Sequence, residues 1–420
     1  MGNNSRSKNK CKGKSKKRKI AVEQSVALSY VRNWVFSSSS GGGGDGDAAV
    51  FDDFLPSQAL NFASSPAQVV FDLHSHSNHS DGYLSPSALV ERAYKQGVKV
   101  LALTDHDTMS GIPEAVEAAS KFGMRIIPGV EISALFSPSR ATGSSEVVHI
   151  LAYYSPCGPS RHDELECLLS SIRDGRYHRA KNILAKLTKL KLPVKWECVA
   201  QIAGEGVAPG RLHIARAMVK AGHVEDIRQA FNKYLHDDGP AYAVGSEPSA
   251  EKVVELIRST GGVSALAHPW SLKNPVGVIS ALSDAGLDAI EVYRTDGKVA
   301  GFCELADIHG LIKIGGSDFH GKGKKGEAEL GSVSLSVTTL YNFLKMGQPI
   351  WCNALKDMLL NFADNPSDSS LENIIRFAKL KEQSCCYLLD ACTSWLSDDE
   401  KKSMNLDEIR RKLSDHSFCR

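Results

Sequence analysis

From residue 67 onward, short runs of β-branched and apolar residues alternate with helical stretches, and nearly every run ends in a histidine or a carboxylate. The runs cover 69–73, 98–103, 125–132, 147–153, 263–267, 288–293 and 311–314. Seven strands separated by helices predict a parallel α/β barrel. The helices carry start signals: Ser85 with Pro86 in the first turn, and Ser249 ahead of residues 251–259. The alternation breaks once. Residues 160–245 read as helices only, with Leu165, Leu168, Leu169, Ile172, Ala180, Ile183, Leu184 and Leu187 on one stripe, which predicts a helical subdomain inserted in the barrel.

The expected organisation is a leader over 1–66, a barrel over 67–350 that contains the insert at 160–245, and a helical extension over 351–420. The leader carries nine Lys and Arg residues between Arg6 and Lys19, then a Ser run and a Gly run. It has little with which to build a core and reads as disordered. Without that arm the formal charge of +2 becomes about −7. An acidic body does not hold long nucleic acid by bulk charge, so an anionic substrate needs a local set of cations. The basic run fits a cytoplasmic or a nuclear protein and leaves organelle targeting open. Ten cysteines without a C-x-x-C pair read as reduced thiols rather than a disulfide framework. No stretch approaches 18 uninterrupted apolar residues, so no membrane span is expected. Oligomeric state is not legible.

The chemistry is concentrated just past the strand ends. The first run leads into His74-Ser75-His76 with Asp81 beyond, the second into Thr104-Asp105-His106-Asp107, and the third ends at Gly129-Val130-Glu131. The fourth carries His149, the fifth ends at His268-Pro269, and the last runs into Gly316-Ser317-Asp318-Phe319-His320. In a parallel barrel the strand C-termini converge on one face, so these residues would share a cavity. Any one of them, His149 or His268 for instance, reads equally well as a hydrogen-bonded core residue, and Asp105 or Asp107 as a turn cap. Together they would leave clustered imidazoles and carboxylates partly desolvated unless an ion is bound. Mixed imidazole and carboxylate donors suit Zn, Mn, Fe or Mg, and nine candidates are too many for one ion.

The set His74-x-His76, Asp81, Thr104-Asp105-His106, Gly129-x-Glu131-Ile132, His149, His268-Pro269 and Gly316-Ser317-Asp318-x-His320 resembles the PHP domain, named for polymerase and histidinol phosphatase. The resemblance covers about residues 69–350, and the helical insert places it nearest the bacterial 3',5'-nucleoside bisphosphate phosphatases that also trim short RNA from the 5' end. It implies a distorted seven-stranded (β/α)7 barrel with three divalent ions, manganese foremost. In that pattern His74, His76, Glu131 and Asp318 surround the first ion. Glu131, His149 and His268 surround the second, and Asp81, His106 and His320 the third. The implied chemistry is attack on phosphorus by a metal-activated water, with no protein nucleophile.

For a second phosphate the insert offers two candidate sets. Arg176 lies on the apolar stripe and needs an anionic partner, with Arg173 and Arg179 at three-residue spacing. A guanidinium fork suits phosphate oxygens, and a salt bridge, for which Glu166 is available, would serve equally. The second set is Gly210-Arg211-Leu212-His213, where a helix start would expose amides beside Arg211 and His213. The expected partner is thus a small bisphosphonucleotide or a short 5'-phosphorylated RNA. Two other readings remain: a histidinol-phosphate-type phosphatase, which needs no second anion site, and a non-catalytic barrel that binds nucleic acid.

Overall fold

The computed structural model describes residues 22–36, 69–138, 145–297, 301–323 and 327–377, with shorter stretches between 389 and 411. Its centre is a seven-stranded sheet in sequential order: β1 (Val70–Asp72), β2 (Val98–Leu103), β3 (Arg125–Phe136), β4 (Glu146–Tyr153), β5 (Val263–Leu266), β6 (Ala289–Tyr293) and β7 (Ile312–Gly315). The two ends of the sheet meet beyond the strands: Asp318 N donates to the His74 carbonyl (3.0 Å) and His76 N to that of Phe319 (2.9 Å). This gives the distorted barrel. Closure requires a glycine at 316, because a Cβ there would collide with the His74 backbone and lie 2.9 Å from Asp72 Oδ1.

The expectation of an all-parallel sheet needs one correction. β4 pairs antiparallel with both β3 and β5, while the other pairs are parallel. Among the described residues no helix separates β3 from β4, which lie only nine residues apart between Phe136 and Glu146, and an adjacent strand reached without a crossover must run the other way.

Period-2 alternation divides the strands between two apolar clusters. Leu101, Ile126, Val130, Ile150, Leu266 and Ile290 pack outward, where α2 (Pro86–Lys95), α3 (Ile112–Lys121), α8 (Ala250–Ser259) and α9 (Pro275–Asp284) cover them. Ser85 and Ser249 cap α2 and α8 as their positions predict, accepting from Ala88 N and Lys252 N. Val100, Ile127, Leu151, Ala265 and Ala289 point inward and join a cluster with residues of α11 (Val337–Asp364).

Helix α11 also corrects the expected boundary at 351. It runs unbroken through that point, with Pro349 inside it, and buries Phe343, Trp351, Leu355 and Leu359 in the inward cluster. Trp351 Nε1 donates to the Tyr153 carbonyl at 3.1 Å, and the Tyr153 hydroxyl donates to the Leu73 carbonyl at 2.8 Å. The leader is corrected too: residues 22–36 form a helix, α1, that buries Val31, Trp34 and Val35 in the same cluster. The basic run and the Ser and Gly runs lie outside the described residues. Between β4 and α8 stand α4 (His162–Lys189), α5 (Trp196–Ala203), α6 (Arg211–Lys220), α7 (Ile227–Ala230) and a π-helical turn, Phe231–Leu235. The first half of α4 packs in the outward cluster through Leu165, Leu169 and Ile172, and its second half builds a third cluster with α5 and α6.

Because α11 plugs the barrel, Trp351→Ala should lower stability by about 3–5 kcal/mol. Urea unfolding of the full chain checks this, and a loss near zero would return residues 351 onward to the status of an appendage.

Candidate metal centre

The inward parity that buries Ile127, Leu151 and Ala289 also carries Glu131, His149 and Glu291 inward, nearer the β3, β5 and β6 carboxyl ends. His149 lies opposite Ser133. It therefore stands in the first half of β4, which is where a reversed strand must place a residue to reach that rim. Residues past the strand ends complete the ring through unusual backbone. Asp107 (φ 54°), His268 (φ 29°) and Asp318 (φ 52°) are three of five non-glycine residues with positive φ among those described. Their concentration at the rim marks strain held by the surrounding packing.

Glu131 is the hub. Its Oε1 lies 3.0 Å from His149 Nδ1 and 3.0 Å from His268 Nε2, and its Oε2 lies 3.3 Å from His74 Nε2, 3.2 Å from His76 Nε2 and 3.2 Å from His106 Nδ1. Asp318 Oδ1 approaches His76 Nε2 at 3.1 Å, and Asp81 Oδ1 approaches His320 Nε2 at 3.1 Å. Three groups have ligand atoms close enough to share an ion: His74, His76, Glu131 and Asp318; His76, Asp81, His106 and His320; and His106, Glu131 and His149. His268 adjoins the last group, 3.3 Å from His149 Nδ1. All nine residues expected as ligands thus meet at one rim.

The donor chemistry fits divalent cations. His74 Nε2 and His76 Nε2 stand 3.1 Å apart, an approach of two imidazole nitrogens that a cation relieves. Buried His106 Nδ1 and Asp81 Oδ1 approach Glu131 and His320 closely but outside hydrogen-bond geometry. Burial lowers the basicity of His76, but hydrogen bonds to Asp318 and Glu131 overcome this and push its pKa up to about 10. Burial would raise the Glu131 carboxyl, yet the charges of His106, His149 and His74 hold it well below the usual carboxylate range. Burial would lower His74 too, yet the same carboxylates raise it, while burial pushes His106 the other way.

Two residues missed in the sequence support the ring. Glu291 Oε1 lies 3.1 Å from His74 Nδ1, and its Oε2 accepts from the His268 backbone amide at 2.8 Å, so one buried carboxylate orients the His74 ring and holds the backbone of His268. Asp72 accepts from the Ser317 and Gly331 amides, each at 2.9 Å. The signal was present: each is a carboxylate inside an apolar run. Asp105 and Asp107 tie separate segments together. Asp105 accepts from Ser77 N, Ser77 Oγ and Ser80 Oγ, and Asp107 from Ser133 N and Oγ.

The expected phosphate contacts divide. Arg176 pairs with buried Asp107 at 2.6 Å and still lines a cavity of about 660 Å³ beside Asp81 and His106. Arg173, not Arg176, pairs with Glu166. Arg179 pairs with Glu247 at 2.5 Å and Arg211 with Asp237 at 2.6 Å, and neither lines the cavity. His213 lines it, but its Nδ1 accepts from Gly210 N at 3.0 Å, closing the helix start that was expected to bind an anion. Burial lowers its pKa to about 4, leaving it neutral.

Known proteins resemble this chain in sequence and fold. The PHP domain family model matches residues 72–236. A 5'-3' exoribonuclease of Haemophilus influenzae is 34% identical over 60% of this chain and 89% of its own length. The chain belongs to the PHP domain family. A 3',5'-nucleoside bisphosphate phosphatase of Chromobacterium violaceum is 34% identical over 61% of this chain and 88% of its own length. A solved structure of an amidohydrolase from Chromobacterium violaceum, with bound sulfate and no metal, superposes with a TM-score of 0.58 at 31% identity, covering 66% of this chain and 96% of that one. Fold, metal-binding clusters and relatives together make this PHP protein a metal-dependent phosphoesterase. Among the described residues no helix is long and apolar enough to cross a membrane.

Two outcomes test the centre. Ligation requires neutral imidazole, so metal loading at pH 7.5 should release protons, and affinity should climb with pH until His76 loses its proton at about 10. Calorimetry in two buffers of different ionisation enthalpy counts those protons, and zero release would contradict the protonated metal-free state. Glu291→Gln should weaken metal binding about 10- to 100-fold, measured by competition with a chromogenic chelator.

Proposed function

We propose that this chain hydrolyses a phosphate from 3',5'-bisphosphonucleotides and from the 5' end of short RNA. His74, His76, Glu131 and Asp318 would hold one divalent ion, Glu131, His149 and His268 a second, and Asp81, His106 and His320 a third, with manganese the metal of choice for assay. Bound ions of this kind acidify a water and place positive charge opposite phosphoryl oxygens. The protein's residues do the rest. Glu131 joins the ion sites, Glu291 and Asp72 fix ring and loop positions, and the insert walls the site.

The observation that carries this reading is the cavity that opens from Asp81 and His106 and is lined by Arg173 and Arg176. A phosphate at the ions leaves the rest of a nucleotide facing those cations, and a volume of about 660 Å³ lies within the usual range for a small-molecule site. The relatives named above for nucleotide and RNA cleavage support the same substrate class. Histidinol phosphate would make no use of an arginine wall. A scaffold that had abandoned catalysis would have no reason to keep all nine ligand candidates in one ring.

Phosphate release from 3',5'-bisphosphoadenosine, from a 5'-phosphorylated trinucleotide and from histidinol phosphate should be compared for chelated and manganese-reloaded protein. Turnover of the two nucleotide substrates should return with metal, and Asp318→Ala should reduce it by on the order of a hundredfold or more. Turnover confined to histidinol phosphate would replace this reading, and Asp318→Ala with full activity would remove the ion assignment.

A further inference from the structure

The cavity beside Asp81 and His106 contains three arginines, and two of them are already neutralised. Arg173 pairs with Glu166 and donates to the Asp107 carbonyl at 2.8 Å, while Arg176 pairs with Asp107. The third, Arg376, forms no ion pair within 4 Å among the described residues. Its Nη2 donates to Asn373 Oδ1 at 2.8 Å, and its Nε is buried without a partner. Glu205 also lines the cavity but is exposed and forms no ion pair among the described residues. A guanidinium that is half-buried and lacks a carboxylate is an unfavourable arrangement unless an anion joins it.

Arg376 is not placed there by the matched region. It closes helix α12 (Asp368–Ile375), well beyond residues 72–236. The adjacent Phe377 anchors it: the ring is buried and packs onto Gly158, where a Cβ would lie 2.8 Å from Phe377 Cδ2. That contact holds α12 beside the start of α4, so that Arg376 and His162 face the same cavity, and burial followed by the charge of Arg376 lowers the basicity of His162. The segment after α11 is therefore docked against the substrate pocket, and it contributes the one cavity arginine without a carboxylate partner.

We propose that Arg376 binds the phosphate that is not cleaved, which makes α12 part of the substrate site. This rests on the reading of a substrate with two phosphates. The assignment of the second-phosphate contact moves accordingly: Arg176 braces the wall through Asp107, and Arg376 supplies the charge. A phosphate seated in the cavity would accept from the guanidinium that lines it in a charge-assisted contact. Specificity for doubly phosphorylated substrates then depends on a segment outside the PHP match.

The test uses the full chain, with Arg376→Ala and Arg376→Gln, the latter keeping most of the packing stem. Calorimetric binding of 3',5'-bisphosphoadenosine to chelated protein should weaken about 10- to 100-fold in both variants, the usual worth of a charge-assisted contact. In manganese-loaded protein the KM for the bisphosphate should rise about tenfold or more relative to that for p-nitrophenyl phosphate, with melting temperatures held. Unchanged bisphosphate affinity, or no binding by the wild-type protein, would overturn the proposal. So would parallel losses on both substrates with a lowered melting temperature, because Arg376 would then be structural. Wild-type binding that depends on Arg376 without any turnover would uphold the anion site and reject the proposed reaction.

Discussion

Five imidazole rings converge within 3.3 Å of one carboxylate, Glu131, which is only 1% exposed. A buried anion is tolerated only where positive charge surrounds it, and imidazoles this close together are tolerated only where a shared cation or shared protons relieve them. The centre is thus mutually dependent. Remove the carboxylate and the rings repel one another; remove the rings and the carboxylate is stranded. Strand geometry sets this up, since β3 and β4 bring Glu131 and His149 to the same inner face, while chain leaving β1, β2, β5 and β7 delivers the remaining groups from around the rim.

Such a cluster needs rigid support beneath it. The inward cluster of the barrel is closed by α11 and α1, and the link from Trp351 through Tyr153 to the Leu73 carbonyl ends one residue before His74. The strained backbone at His268 and Asp318 is held by specific contacts: His268 N on Glu291, and Asp318 N on the His74 carbonyl. The first ties the end of β5 to β6 and the second ties the end of β7 back to β1, so the rim behaves as one closed network rather than a row of independent loops.

The helices between β4 and β5 are tied to the barrel by charge. Arg173 and Arg176, at the middle of α4, reach the Asp107 carbonyl and the Asp107 carboxylate, and Arg216 of α6 donates to the Asp81 carbonyl at 2.8 Å. The changeover in α4 between two apolar clusters falls at these residues, which is why they sit over the site mouth. Arginines read from the sequence as substrate contacts therefore act largely as braces. Arg173 and Arg176 set one wall of the cavity beside Asp81 and His106.

The metal-ligand residue types, their order and their placement at strand ends were legible in the amino-acid sequence because each is a local property: an apolar run, a turn and a polar residue beside it. Helix caps at Ser85 and Ser249 were legible for the same reason. Glu291 and Asp72 were overlooked because a carboxylate within an apolar strand shows its purpose through partners far along the chain, His74 for Glu291 and Ser317 for Asp72, each more than 200 residues away. The reversal of β4 depended on what its neighbours paired with, the role of α11 on which face of the barrel was left open, and the partners of Arg176, Arg179 and Arg211 on which carboxylates lay across from them. Local pattern determined which atoms this chain can offer to an ion. Only the tertiary structure decided which charges are already neutralised and which remain for a substrate, because pairing is a property of distance in space and not of spacing along the chain.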